Sequence, residues 1–122
     1  MAKWANDDVM DAALNRVKTL VNLQTVCSQQ PTTRTEATTT YKLADVAMAT
    51  GDFTLADGDA PGRKVTVAQK ASVTVDSDGT ATHVALTDAT SLVVVTTCTG
   101  QVLTSGNTVT FPAWDQEISD PA

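Results

Sequence analysis

Residues 80–118 contain the three β-type runs that decide the fold: TATHVALTD (80–88), SLVVV (91–95) and LTSGNTVTFPAW (103–114). Valine, threonine and leucine dominate these runs, and such residues suit the pleated, half-buried surface of a sheet. Short polar turns separate the runs. Within them, no nucleophile, base and third polar group stand at a catalytic spacing. The stretch therefore predicts antiparallel strands in a protein that acts through its shape.

Further strands are predicted upstream, and strand starts lie about ten residues apart, which favours a sandwich or barrel over βαβ units. The predicted strands are 23–28, 53–55, 63–68, 71–75, 81–87, 92–97, 101–103 and 108–111. Turns are predicted at 56–62, 77–79 and 105–107, where glycine occurs beside aspartate, serine or asparagine, and at Gly100. Segment 41–48 fits either a strand or a short helix, because its alanines and its flanking threonines favour different structures.

One helix is predicted ahead of the strands, over residues 7–21. Asn6 or Asp7 can cap it, and the acidic residues that follow suit the positive end of the helix dipole. Apolar residues recur at helical spacing at Met10, Ala13, Leu14, Val17, Leu20 and Val21. This stripe has to pack on another element of the fold.

The chain is expected to form a single domain over residues 1–122. Its 22 threonines suit a sheet with one wet face. We expect a mainly β fold, in which an N-terminal α-helix precedes a compact antiparallel β-sandwich or barrel of about six to eight strands. Residues 1–22 hold the helix, 23–40 a strand and a threonine-rich arm, and 41–122 the β domain.

The charge balance argues against two classes of partner. The net charge is −6 and the pI about 4.4, and the eight basic residues are scattered. Nucleic-acid binding requires clustered lysine and arginine, and an anionic membrane surface favours the same pattern. No stretch approaches the roughly 20 apolar residues of a membrane span. Residues 1–8 are too acidic for a secretory signal, so synthesis in a cytosol is expected.

His83 and two cysteines are the candidates for chemistry. His83 would need Asp88, Asp76 or Cys98 within hydrogen-bond reach to act as a base. We favour a structural histidine that bonds a neighbouring strand or loop. Cys27 and Cys98 are expected to be buried small hydrophobic residues, since cytosolic synthesis argues against a disulfide.

Two acidic turns resemble fragments of calcium loops, at 57–59 and 76–79. A calcium loop needs a further acidic ligand at its twelfth position. That position is Ala68 when counted from Asp57 and Thr87 when counted from Asp76. Turn geometry explains both clusters, and with a single histidine and no Cys-x-x-Cys a metal site is not expected. The sequence predicts no catalytic, cofactor-binding or metal-binding residues.

Two segments are candidates for contacts with other molecules. Pro112 cannot donate to a central ladder, so the chain should leave the sheet or follow its edge there, with Trp114 as a lid over the core or as an interface anchor. The threonine-rich arm is either mobile or held by a neighbour. The interface candidates are Trp4, Pro31, Thr32, Thr33, Arg34, Thr35, Trp114 and Ile118.

Several segments resemble small virion proteins of tailed bacteriophages. The resemblance lies in THVALTD (82–88), LVVV (92–95) and SGNTVTFPAW (105–114), and upstream in LAD (43–45), GDFTLADG (51–58) and GRKVTV (62–67). It covers most of residues 40–120, and its motifs are β-turn signatures. The resemblance implies a virion component, and among virion roles we favour a capsid cement or decoration protein without enzymatic activity. Such a protein is made in the host cytoplasm and binds the outer shell at capsomer junctions, with the major capsid protein as partner and a homo-oligomer, often a trimer, as its form.

Two other functions stay open at the level of the sequence. A tail-fibre, spike or head-vertex component that contacts the host surface would share the threonine-rich β composition. A small hydrolase of cell-wall glycan would need two carboxylates that flank a cleft. The carboxylates available for such a pair are Asp45, Asp88, Asp115 and Glu117.

Overall fold

The computed structural model describes residues 6–58 and 62–119. An N-terminal α-helix precedes antiparallel sheets, which confirms the predicted fold class. In chain order the elements are α1 (Asp7–Leu20), β1 (Leu23–Cys27), β2 (Lys42–Ala47), β3 (Phe53–Asp57), β4 (Gly62–Val67), β5 (Lys70–Thr74), β6 (Gly79–Thr87), β7 (Leu92–Leu103), β8 (Thr108–Phe111) and β9 (Trp114–Ser119). The nine strands of the described ranges exceed the predicted number, since the segment after Pro112 forms a further strand.

The helix begins and packs as its sequence pattern predicts. The side chain of Asn6 accepts a hydrogen bond of 2.7 Å from the backbone N–H of Asp8 and so satisfies one of the free amides of the first turn. Met10, Leu14 and Val17 are buried. The apolar stripe of α1 therefore forms part of the core.

The strands form three antiparallel sheets arranged in two layers. One layer is a four-stranded sheet in the order β2-β1-β6-β7, and the other contains a three-stranded sheet, β3-β4-β9, and a two-stranded sheet, β5-β8. The three-stranded sheet and α1 pack on the larger sheet through Leu14, Phe53, Val65, Val67 and Leu86. The two-stranded sheet packs on it through Val26, Ala44, Val73, Val75 and Phe111. The core thus lies between the layers, as in a sandwich.

Residues 77–79 do not make the hairpin turn that their composition predicts. The backbone N–H groups of Asp76 and Ser77 both donate to the carbonyl of Leu43 on β2, at 2.7 and 3.1 Å. This contact carries the chain from one layer to the other, so β5 pairs with β8 instead of β6. A side chain at Gly79 would come within 2.8 Å of Leu43, which explains why a glycine begins β6.

Gly100 lies inside a strand, so the turn predicted there is wrong. The regular pairing of β6 with β7 is interrupted between Ala81 and His83, whose partners are Gln101 and Thr97. The intervening residues of β7, 98–100, form a bulge that bends the strand without ending it. Segment 41–48, which fits two structures in the sequence, contains strand β2.

The threonine-rich segment differs from the expected arm. Residues 34–40 are helical and end in a π-helical turn, Glu36–Thr40. Pro31 is fully buried, and Ala37 packs against Cys27 and Ala85 on the four-stranded sheet. The small side chain of Ala37 permits this close approach. The segment therefore covers the outer face of its own sheet.

Candidate functional site

Strand β7 is the outer strand of the larger sheet and presents an unusual edge. It is twelve residues long and pairs only with β6 among the described strands. It contains neither a charged residue nor a proline. The other outer strands are short and most carry charge: Lys42 and Asp45 on β2, Asp57 on β3, Lys70 on β5, and Asp115 and Glu117 on β9, while β8 has four residues. Charge and shortness protect sheet edges from pairing with other chains, and β7 has neither protection.

The N-terminal half of β7, residues 92–97, is the regular part of this edge. Its sequence is LVVVTT, and it precedes the bulge at 98–100. Residues 92–96 are half-buried and Thr97 is exposed. These β-branched and aliphatic side chains have high strand propensity. We call this run the open edge.

Two clefts lie beside β7, where the layers of the sandwich separate. The first, about 330 Å³, is lined by α1, by Val93 and Val94 of the open edge, and by Gln116 and Ile118 of β9. The second, about 460 Å³, is lined by Cys98 and Leu103 of β7 together with Phe111 and Trp114. Both clefts open between an edge of one layer and an edge of the other. We call the space that these two clefts occupy the gap beside β7, and its lining is partly apolar along much of the strand.

Two of the interface residues predicted from the sequence lie at this gap. Trp114 begins β9, is half-buried, and donates its indole N–H to Oε1 of Gln24 at 2.9 Å. Ile118 lies further along β9, half-buried beside the first cleft. Strand β9 is an edge strand of its sheet, which confirms that the chain follows a sheet edge after Pro112. Trp4 lies outside the described residues.

The interface candidates of segment 31–35 lie elsewhere. None of them lines either of the two clefts. Pro31 is buried, and Arg34 donates its Nε–H to the carbonyl of Asp88 at 2.9 Å. Thr32, Thr33 and Thr35 are exposed. The backbone N–H and the hydroxyl of Thr32 donate hydrogen bonds to the Glu36 carboxylate, at 2.8 and 2.7 Å. The bond from the backbone N–H is the main reason why the pKa of Glu36 is lowered. This segment is held by its own chain.

Asp88 is held as a carboxylate by structural contacts. It is 6% exposed and accepts hydrogen bonds from the backbone N–H groups of Thr90 and Ser91, at 2.8 and 2.6 Å. Arg16 forms an ion pair with it at 2.7 Å. The backbone bonds from Thr90 and Ser91, followed by Arg16, lower the pKa of Asp88 to about 2. A carboxylate so occupied is a weak base at neutral pH.

His83 contacts a hydroxyl group on its own strand. Its Nδ1 lies 2.8 Å from the hydroxyl oxygen of Thr82, and its neighbours in strand register are Cys27 and Thr97. Asp88, one of its predicted possible partners, bonds Arg16 and the turn amides. The ring is thus bonded within the sheet.

The two cysteines are free thiols on opposite faces of the larger sheet. Cys27 packs with Ala37 on the outer face, whereas Cys98 packs against the core cluster between the layers and lines the larger cleft. Burial raises the pKa of both thiols. Cys27 is fully buried, as predicted, and Cys98 is half-buried. Both groups are therefore protonated and weakly nucleophilic at neutral pH.

The carboxylates of the acidic turns contact cations and amides of the protein itself. Asp57 binds Arg63 at 2.7 Å, Asp76 binds Lys42 at 3.2 Å, and Asp78 accepts from the backbone N–H of Ser105 at 2.7 Å. Asp59 lies outside the described residues. In the ranges that the structure describes, no three histidine, cysteine or acidic side chains gather as metal ligands would.

The remaining candidate carboxylates are half-buried at Asp45 and exposed at Asp115 and Glu117. Asp45 binds Lys42 at 2.8 Å, and Asp115 binds Lys64 at 3.3 Å and the hydroxyl of Thr66 at 2.8 Å. Glu117 is opposite Lys64 in the register of β4 and β9. Each carboxylate is thus placed beside a lysine of its own sheet.

Comparisons with models of protein families, with curated proteins and with solved structures give no match for this chain. In the described part of the chain, α1 and the shorter helical turns fall below the length and apolarity that a bilayer span requires.

The open edge is the feature that the sequence reasoning missed. Residues 92–97 were predicted as a strand, but a strand's place in its sheet depends on distant partners. The available signal was the charge pattern, because β7 is twelve residues long and contains no charged side chain. A buried central strand has the same composition, so this signal alone does not identify an edge.

Proposed function

We propose that this chain is a structural virion protein, a capsid cement or decoration protein that binds the outer shell and stabilises capsomer junctions. In this proposal it acts by association and carries out no chemistry. Its partners are the major capsid protein and further copies of itself, and the resemblance to phage virion proteins favours three copies. Its place is the capsid exterior after synthesis in the host cytoplasm.

One observation carries the proposal: the open edge of β7 combines backbone groups that no described strand pairs with and half-exposed aliphatic side chains. A single soluble domain gains nothing from such an edge, because it invites pairing with other chains. A protein that works by docking uses it, since strand addition supplies main-chain hydrogen bonds and side-chain contacts together. The apolar clefts beside β7 add concave surface for a partner's side chains.

The charge of the protein also supports a position on the outside of a protein shell. The net charge is −6, and Asp88, Asp57, Asp76 and Asp115 are all engaged in ion pairs within the fold. An acidic protein is repelled by packaged DNA and by anionic lipid. A role on the outside of a protein shell is compatible with this charge.

The copy number in purified virions tests the proposal. Quantitative mass spectrometry of the particles should find the chain at a copy number comparable to that of the major shell protein. Empty capsids should also bind it in many copies. A handful of copies per particle, together with an effect on adsorption to the host, would favour a tail-fibre, spike or head-vertex component. Absence from virions would overturn both roles.

A further inference from the structure

The open edge is self-complementary in an antiparallel pair. Residues 92–97 run LVVVTT, so a twofold antiparallel pair centred on Val95 places Val95 opposite its own copy, Val94 opposite Thr96, and Val93 opposite Thr97. Aliphatic and β-branched side chains in such cross-strand positions stabilise a sheet. No charged residue opposes another in this register. The partner that fits the open edge most directly is therefore a second copy of it.

We propose that two copies of this chain associate through the open edge, with residues 92–97 of each forming an antiparallel pair about a twofold axis. The two four-stranded sheets then become one sheet of eight strands. The contact is isologous, because the same patch serves both copies. This inference stands on the sheet edge alone and holds whether or not the chain is part of a virion.

Charge selects this edge over the others. Two copies of a chain with a net charge of −6 repel each other. At the edge of β9 a twofold contact would place Asp115 and Glu117 beside their own copies, and at β2 it would place Asp45 there. Like charges directly opposite each other destabilise a strand pair. Only residues 92–103 offer a long uncharged edge among the described strands.

The bulge in β7 limits the pairing to the first half of that strand, residues 92–97. Residues 98–100 bend the strand, and a bent edge does not continue a regular ladder. A pair of six-residue strands is about 20 Å long and buries less than the roughly 800 Å² per partner of a standard interface. We therefore expect an association weaker than about micromolar. An isologous pair closes at two copies, so this dimer and the trimer that the phage resemblance favours are alternatives, and the measured oligomer size decides between them.

Sedimentation equilibrium of the full chain measures this association, with Thr97→Lys as the test variant and Thr54→Lys as its matched control. Both threonines are exposed in edge strands, Thr97 on the open edge and Thr54 on β3 of the other layer. Circular dichroism first establishes that both variants fold. We expect a monomer–dimer equilibrium, which Thr97→Lys weakens by at least about tenfold because a lysine on a strand edge opposes pairing. Thr54→Lys should leave the dissociation constant unchanged.

Hydrogen exchange locates the contact on the same samples. Amides of residues 92–97 that face away from β6 should exchange more slowly at concentrations where the dimer predominates. A chain that stays monomeric up to about millimolar concentration, a trimer, or a dimer weakened equally by the two lysine variants would each overturn the proposal. So would protection confined to strands other than β7, which would indicate another contact surface.

Discussion

The indole N–H of Trp114 donates a hydrogen bond of 2.9 Å to Oε1 of Gln24 and so joins the two layers of the sandwich. Trp114 begins β9 of the three-stranded sheet, and Gln24 lies on β1 of the four-stranded sheet, where it is 1% exposed. The amide of Gln24 also reaches the sulfur of Met48, at 3.6 Å. Buried amide groups require such partners. The bond therefore fixes how β9 sits beside the gap at β7.

Replacing Trp114 by phenylalanine should destabilise the fold by about 1–3 kcal/mol, because the buried oxygen of Gln24 loses its donor. The measurement is urea unfolding at equilibrium. Gln24→Met serves as the second arm of a double-mutant cycle, since it removes the acceptor and keeps an apolar side chain. The two changes should be non-additive by roughly 0.5–3 kcal/mol. Strict additivity would mean that the bond contributes nothing to stability.

Asp88→Asn should reduce the amount of folding stability that the protein loses as the pH falls. The folded pKa of Asp88 is about 2, below the value of about 3.9 for an unfolded aspartate. Its contribution is therefore present above about pH 4 and is lost as the pH falls towards 2. The variant should be less stable at neutral pH, and the difference should shrink through this window. Thermal unfolding from pH 7 to pH 2.5 measures it.

A constant difference between the two proteins at all pH values would contradict the account of Asp88. The variant should still lose some stability at low pH. Glu36 and Asp52 also have lowered pKa values, through backbone hydrogen bonds from Thr32 and Ala49 respectively, and both titrate at low pH.

Enlarging Ala37 should loosen the segment that covers the outer face of the larger sheet. Ala37 is completely buried against Cys27 and Ala85, so Ala37→Leu should destabilise the fold by about 1–3 kcal/mol through overpacking. Thr35→Ala is the matched control, since Thr35 is exposed. It should change the free energy of unfolding by less than about 0.5 kcal/mol. Equal, small effects of the two changes would indicate a segment detached from the sheet.

Alkylation should distinguish the two thiols. Cys27 is 0% exposed, whereas Cys98 is half-buried beside the larger cleft. Iodoacetamide should therefore modify Cys98 slowly in the native protein and Cys27 only after unfolding. Peptide mapping by mass spectrometry measures both sites, and a urea-treated sample gives the full extent of reaction. Equal labelling of the native thiols would contradict the difference in their burial.

Local signals predicted much of this fold. The capping residue Asn6 and the stripe of Met10, Leu14 and Val17 predicted α1 to within one residue, because a helix depends on contacts a few positions apart. The strands from 53 to 111 were found for the same reason, since alternation and turn residues are local. Pro112 correctly indicated that the chain after it follows an edge.

Strand order and layer changes could not be obtained in this way. The contact of Asp76 and Ser77 with Leu43 sends β5 to pair with β8, and no local pattern predicts a partner so far along the chain. Gly100 has the composition of a turn but lies in a bulge of β7, because its neighbours are held by β6. The helical turn at 36–40 depends on the packing of Ala37 against Cys27 and Ala85, a tertiary contact that overrides the propensity of the threonines.

A cryo-electron microscopy map of the virion that carries this chain tests its structural role most directly. The account predicts density for the sandwich on the outside of the shell, repeated at capsomer junctions. The account would be contradicted by a map in which the chain occurs only at a tail fibre, a spike or a single vertex. A map of the complete shell in which this chain is absent would also contradict it.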